Sequence, residues 1–226
     1  VYADDHDVEV AILVAPDYRR KGIARSLFDK FQKETAPYPI RSVTFQTERI
    51  FLDRHPNLAS HWGVVEDEET ETWLGRDKTP YALDSRSDVK VLLAEPSYLD
   101  EIAQFHQQAF SDAEETLEAS RRYITEALKD SDGLLYILLK EAQVIGVCTV
   151  DLSGNNNYLY GLAVAEAYRG QGYGSYLAKS VVNQLIAQND KFFQIAVEDS
   201  NVVAKRLYQK IGFVKQTQAV YLNRKE

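Results

Sequence analysis

A seventeen-residue pattern recurs 150 positions further along this chain, and that repeat sets what the chain can fold into. Residues 12–28 read ILVAPDYRRKGIARSLF, and residues 162–178 read LAVAEAYRGQGYGSYLA. In register, Val14 meets Val164, Ala15 meets Ala165, Tyr18 meets Tyr168 and Arg19 meets Arg169; Gly22 meets Gly172 and Leu27 meets Leu177. Further on, Thr47-Glu48 lies opposite Val197-Glu198, and one residue out of step Leu58 meets Leu207 and Gly63 meets Gly212. A period this long means tandem domains, not a solenoid of short units.

The polar stretch 75–88 holds Gly75 and Pro80, lacks any sustained period and marks the boundary. The expected layout is a partial domain over residues 1–76, a linker over 77–88 and a complete domain over 89–226. The second copy reads as an α/β domain with a mixed sheet. Strands are expected at 89–94, 134–139, 144–152, 158–164 and 192–198, with FVKQ and AVYLN finishing the sheet. Helical spacing covers 98–110 and 114–129, and a further helix carries Leu177, Val181 and Leu185. Ser200 is placed to cap the last helix, whose core stripe reads Val203, Leu207, Ile211. The first copy begins only at the fourth-strand equivalent, VEVAILVA (8–15), and the acidic run Glu66–Glu71 reads as a solvated turn between two short strands. The missing half, and the absence of methionine even at residue 1, lead us to expect a fragment. A half-sheet with an open central edge would invite aggregation.

Between strand and helix, Arg169-Gly170-Gln171-Gly172-Tyr173-Gly174 forms a glycine-rich turn. Glycine lets a ligand approach the main chain closely. The first helical turn has unpaired N–H groups and partial positive charge, which together suit a diphosphate. Arg169 can add a charge-assisted contact. Arg19-Arg20-Lys21-Gly22-Ile23-Ala24 repeats the form with more positive charge. One such turn is weak as a signal, but two in the same context are strong. Neither G-x-G-x-x-G nor a P-loop Gly-Lys-Ser/Thr is present.

The pattern Arg-x-x-Gly-x-Gly/Ala after a strand ending in valine resembles the acyl-CoA motif of the GNAT superfamily of N-acyltransferases. Residues 89–223 resemble the whole GNAT domain, and residues 8–74 its second half. The stretch Asn201 to Phe213 (NVVAKRLYQKIGF) is similar to the family's helix-strand signature. The resemblance implies the GNAT fold in tandem copies and acetyl transfer from acetyl-CoA to a primary amine of a small molecule or a protein. It implies that Leu162, Ala163 and Val164 pair with the pantetheine arm like an added strand and polarise the thioester carbonyl. Residues 169–174 would hold the diphosphate, and Asn201 and Ala204 would line the cofactor. Arg19 to Ala24 would be the corresponding turn of the first copy. Tyr208 would be the acid that protonates the departing thiolate, although a packing aromatic is the alternative from sequence alone. Ala59 takes its place in the first copy, with Pro56 interrupting the helix, so that copy is expected to be weaker or inactive catalytically, with CoA binding or a scaffold role still open to it.

Glu198, ending the fifth strand, is a candidate base, balanced against a surface or capping carboxylate beside Asp199; Glu48 shares its position. Asp151 is a weaker candidate. Cys148 reads as core, Trp62 and Trp73 as packing the first domain, and Tyr158 and Tyr160 either shape an acceptor pocket or fill a sheet face. His55, His61 and His106 show no metal spacing, so no metal is expected. The net charge of -8 lowers the prior for nucleic acid, and no apolar run approaches a membrane span. A single cysteine and the absence of a signal peptide suggest a cytoplasmic setting. The acceptor is expected to be a small-molecule or peptide amine, and a homodimer stays open as the assembly. A non-catalytic acetyl-CoA-binding or sensing module is the alternative function.

Overall fold

A computed structural model describes residues 2–4, 6–110 and 116–224, with only the backbone of 2–4. The chain forms two compact units. The first comprises residues 1–72, 198–200 and 217–226, and the second comprises 73–197 and 201–216.

In the first unit the elements run β1 (Tyr2–Asp4), β2 (Asp7–Val10), α1 (Ile23–Thr35), β3 (Ser42–Glu48), α2 (Arg49–Arg54), α3 (Leu58–Trp62) and β4 (Val64–Arg76), of which Trp73–Arg76 belong to the second unit. β2 pairs with β1 antiparallel and with β3 parallel. The strand expected over 8–15 stops at Val10. Among the described residues, 11–15 pair with no strand, and Leu13 is 92% exposed. The acidic run is no turn: Glu66–Glu71 lie within the continuous strand β4. Their charges face partners or solvent; Arg49 donates to Glu66 at 2.6 Å and Asn223 to Asp67 at 2.7 Å. Leu52, Val64, Val220 and Leu222 form the core, with Trp62 packed against it.

The second unit continues with β5 (Lys90–Leu93), α4 (Leu99–Phe110), α5 (Leu117–Ala127), β6 (Gly133–Lys140), β7 (Gln143–Asp151), β8 (Asn156–Val164), α6 (Tyr173–Gln188), β9 (Phe192–Glu198) and α7 (Val202–Lys210). The last strand, β10, spans Val214–Arg224; FVKQ and AVYLN thus fall in one strand rather than two. Its residues Ala219–Asn223 belong to the first unit, where they pair antiparallel with β3. Positions 114 and 115 of the expected helix 114–129 lie outside the described residues. Within the second unit the strand order is β9-β8-β7-β6-β5. The mixed α/β class and its large mixed sheet agree with the sequence reading.

Local chemistry explains several boundaries. Thr116 caps α5 by accepting from Ala119 N. α7 is capped by Asn201, not Ser200; the Asn201 side chain accepts from Ala204 N at 3.0 Å. The buried face of α7 is also shifted from expectation. Val203 is 79% exposed, whereas Ala204, Leu207, Tyr208 and Ile211 face the core. Trp73 belongs to the second unit, where its ring stacks on Tyr158 at 5.7 Å. The linker is docked, not free: Tyr81 exchanges two hydrogen bonds with the Asn183 side chain at 2.8 and 2.9 Å.

Leu177 is fully buried in the main core beneath α6. Leu177→Ala is expected to lower unfolding free energy by about 2–5 kcal/mol, from lost transfer energy plus the cavity left behind. Urea denaturation followed by circular dichroism checks this; a loss under 1 kcal/mol would mean the packing there is not as described. No helix among the described residues is long and apolar enough to cross a membrane.

Candidate functional site

The site is built where two strands part. β8 pairs with β9 in parallel only from Asn156 to Tyr158, against Phe192 to Gln194, yet both strands run on, to Val164 and Glu198. The β8 main chain from Leu159 onward therefore has β7 on one side and no ladder to β9 on the other. On the β7 side the register slips between Val147–Ala163 and Thr149–Tyr160, so Gly161 and Leu162 together oppose Cys148. This is a β-bulge, and Gly161 at φ 57° supplies the left-handed residue such a bulge needs. A bulge leaves main-chain groups out of the ladder and free to aim at a ligand.

β8 leads directly into the glycine turn. Tyr168 N donates to Ala165 O at 2.8 Å, Arg169 N to Glu166 O at 3.1 Å and Tyr176 N to Gly172 O at 3.0 Å. Gly172, at φ 83°, starts α6. Gly174 sits in the first turn of that helix, close to Leu207; a Cβ there would meet Leu207 Cδ1 at 3.1 Å, with Val164 and Leu162 at 3.7 and 3.8 Å. The turn, the end of β8 and α7 are thus brought together in one unit, with Leu162, Val164, residues 169–174 and Ala204 around them. The Arg169 guanidinium is partly used inside the loop, donating from Nε to Val164 O at 2.9 Å.

The first copy builds the same turn. Arg19 Nε donates to Val14 O at 2.9 Å, Tyr18 N to Ala15 O at 2.9 Å and Ser26 N to Gly22 O at 3.0 Å. Gly22 at φ 77° matches Gly172. However, Arg20 at φ 61° stands where Gly170 has φ 74°, a conformation that costs a side-chain-bearing residue about 1 kcal/mol. Arg19, Arg20, Lys21 and Gly22 are exposed, and Ile23 and Ala24 half-buried. No bulged strand precedes the turn: residues 11–15 belong to no strand.

Tyr208 is 4% exposed and packs edge-on to Phe213 at 5.8 Å. Burial first, then the neighbouring Cys148 and Tyr158, hold its phenol well above the usual tyrosine range. It stays neutral and carries its proton. The Cys148 thiol is fully buried and pushed up to about 12 by desolvation, which removes it as a nucleophile.

Glu198 is exposed and grouped with the first unit. Its neighbour Asp199 accepts from Thr70, Thr72 and Gln218. Glu48 accepts from Thr217 Oγ1 at 2.9 Å. Asp151 caps its own turn by accepting from Ser153 N at 2.7 Å. Trp73, Tyr158 and Tyr160 form an aromatic ladder, the two tyrosine rings 6.0 Å apart. A cavity of about 140 Å³ reaches the bulge, lined by His106, Phe110, Tyr123, Val147, Thr149 and Gly161. His106 Nδ1 lies 3.3 Å from Ser120 Oγ. No cluster of three metal-ligating side chains occurs among the described residues.

Sequence reading missed this cavity and the Gly161 bulge. An isolated glycine inside a strand was the available signal for the bulge. It also missed Arg86, Asp88 and Lys140, which gather around the glycine turn from distant positions with no motif to announce them.

A model of the acetyltransferase (GNAT) family matches residues 99–213. The chain belongs to the GNAT family. Among relatives, the ribosomal protein bS18-alanine N-acetyltransferase of Haemophilus ducreyi is 30% identical over 89 residues, covering 38% of this chain and 61% of that protein. The protein of the same name from Haemophilus influenzae also matches at 30% identity. This chain thus spans about three fifths of the length of the curated relatives it matches, 61% and 60%. A GCN5-related N-acetyltransferase from Sphaerobacter thermophilus superposes with TM-score 0.72 at 17% identity, over 97% of this chain and 73% of its own. A tandem GNAT protein from the clavulanic acid biosynthesis pathway gives TM-score 0.72 at 14% identity, over 95% and 74%. These likenesses show a GNAT fold.

Proposed function

We propose that the chain is an N-acetyltransferase that moves the acetyl group of acetyl-CoA to a primary amine by direct attack. The observation that carries this reading is the parting of β8 from β9 beside the glycine turn. An extended pantetheine arm can add to the free edge of β8 through Leu162, Ala163 and Val164. Its diphosphate then meets the main-chain N–H groups of residues 170–174 at the start of α6 and the remaining guanidinium N–H groups of Arg169, whose main-chain N–H is held by Glu166 O. Asn201 already uses its side-chain oxygen on Ala204 N, so its contact to the cofactor is left to its other atoms.

In the reaction, the amine nitrogen bonds to the thioester carbonyl carbon and the carbon–sulfur bond breaks. Main-chain N–H groups at the bulge stabilise the oxyanion. Tyr208 gives its proton to the departing sulfur and is reprotonated from solvent. Glu198, directly or through water, takes the proton that the amine loses. The cavity at the bulge receives the group attached to the amine, and its modest volume favours a small substituent.

The domain reading goes with this. Residues 1–76 form a partial, degenerate GNAT-like domain, 77–88 a linker and 89–226 the complete one. Arg19, Arg20, Lys21, Gly22, Ile23 and Ala24 form the corresponding CoA turn of the first copy and bind more weakly than residues 169–174, since no strand leads into them and Arg20 stands at φ 61°. We further propose a cytoplasmic protein with no metal, nucleic-acid or membrane partner.

The test is release of free CoA thiol from acetyl-CoA across an acceptor set of small primary amines and peptides beginning with alanine. The peptides are included because two relatives are named for an alanine acceptor. Thiol release above the acceptor-free rate with at least one member is expected. Tight acetyl-CoA binding with no release for any member would favour the sensor reading.

A further inference from the structure

Tyr173 follows Gly172 as the first residue of α6, and its side chain is gripped from distant parts of the chain. Its hydroxyl donates to Asp88 Oδ2 at 2.7 Å. Lys140 Nζ donates to the same carboxylate at 2.8 Å and to the Tyr173 oxygen at 2.9 Å. Arg86 lies over the ring at 4.4 Å and donates to Gln171 O at 2.8 Å. Tyr168 meets the ring edge-on at 6.0 Å. Lys140, and then Tyr173, hold the Asp88 carboxyl down to about 2, so it remains charged at working pH.

The first copy shows what this clamp is not for. Ile23 replaces Tyr173 there and has no hydroxyl to grip, yet the backbone turn and its hydrogen bonds are the same. Forming the turn therefore does not require the clamp. What the clamp adds is a fixed position for the first helical residue, and hence for the N–H groups around it. Preorganised donors bind an anion without losing that order on binding.

We infer that Asp88 and Lys140 are positioning residues for the diphosphate-binding turn, acting through the Tyr173 hydroxyl. The inference rests on the acetyl-CoA reading above. The two copies differ at this point: the second alone carries the hydroxyl that ties the turn to β6 and to residue 88.

The test uses the full chain and compares acetyl-CoA with acetylpantetheine, which lacks the diphosphate. Asp88→Ala is expected to raise the acetyl-CoA dissociation constant about 5–10-fold, the scale of one ordinary hydrogen bond, because the lost contact acts on the ligand only through the turn. Acetylpantetheine affinity, from an NMR titration, should stay within about two-fold, because it does not touch the turn. Asp88→Asn keeps an acceptor oxygen and should recover most of the loss, and Lys140→Met should repeat the Asp88→Ala pattern. Unchanged acetyl-CoA affinity in both Asp88→Ala and Lys140→Met would overturn the inference while leaving the acetyltransferase reading intact. So would an equal loss for both ligands, which marks general loosening of the domain. If the unaltered protein binds neither ligand, the acetyltransferase reading fails and takes the inference with it.

Discussion

Tyr208→Phe is expected to lower turnover about 100-fold, the scale of losing one general acid. Acetyl-CoA affinity should change less than about two-fold, because the group removed acts on the leaving sulfur and not on the diphosphate. The ring itself is part of the core, packed against Phe213, and phenylalanine keeps that volume. Stability should therefore hold, which separates a chemical loss from an unfolded one. Because burial keeps the phenol protonated, the loss should be similar across the neutral pH range. Single-turnover rates with a competent acceptor, alongside calorimetric affinity, make the check. An unaltered single-turnover rate would remove Tyr208 from the reaction and return it to a packing role.

Gly172→Asp is expected to weaken acetyl-CoA binding at least about 100-fold, since like charges brought together at an interface cost several kcal/mol. Two effects add. Gly172 has φ 83°, which an L side chain resists at about 1 kcal/mol. The new carboxylate also stands at the start of α6, where a diphosphate would otherwise meet unpaired N–H groups. A Cβ there lies 3.5 Å from Arg86 Nη2, so the carboxylate can also capture that guanidinium. Gly22→Asp in the first copy is the control, with the same backbone conflict at φ 77° and no expected change in affinity. Equal losses at both glycines would assign cofactor binding to both copies.

Much of this was legible in the sequence because the turn is local. A tyrosine, an arginine and a glycine at fixed spacing after an apolar strand dictate the same hydrogen bonds twice, from Tyr168 to Ala165 and from Tyr18 to Ala15. β9 fell on 192–198 because its alternation is strict. Reading failed where long-range pairing decides. The apolar run 11–15 looks like strand, yet pairing stops at Val10. The acids of 66–71 look like a turn, yet they ride on a strand whose side chains find Arg49, 17 positions away, and Asn223, 156 positions away. Helix α7 differs from the reading because Val203 is more apolar than Ala204 and so reads as the core position, yet Val203 is 79% exposed and Ala204 packs on the core. The Asp88–Lys140–Tyr173 clamp joins residues 52 and 85 positions apart, a separation no periodicity reveals.

On this proposal the edge of β8 and the start of α6 together grip a CoA thioester. Isothermal titration of acetyl-CoA into the full chain is the decisive experiment. One site per chain, abolished by Gly172→Asp and kept by Gly22→Asp, is the predicted result. The absence of any binding heat from a folded sample, repeated at a second temperature, would contradict it.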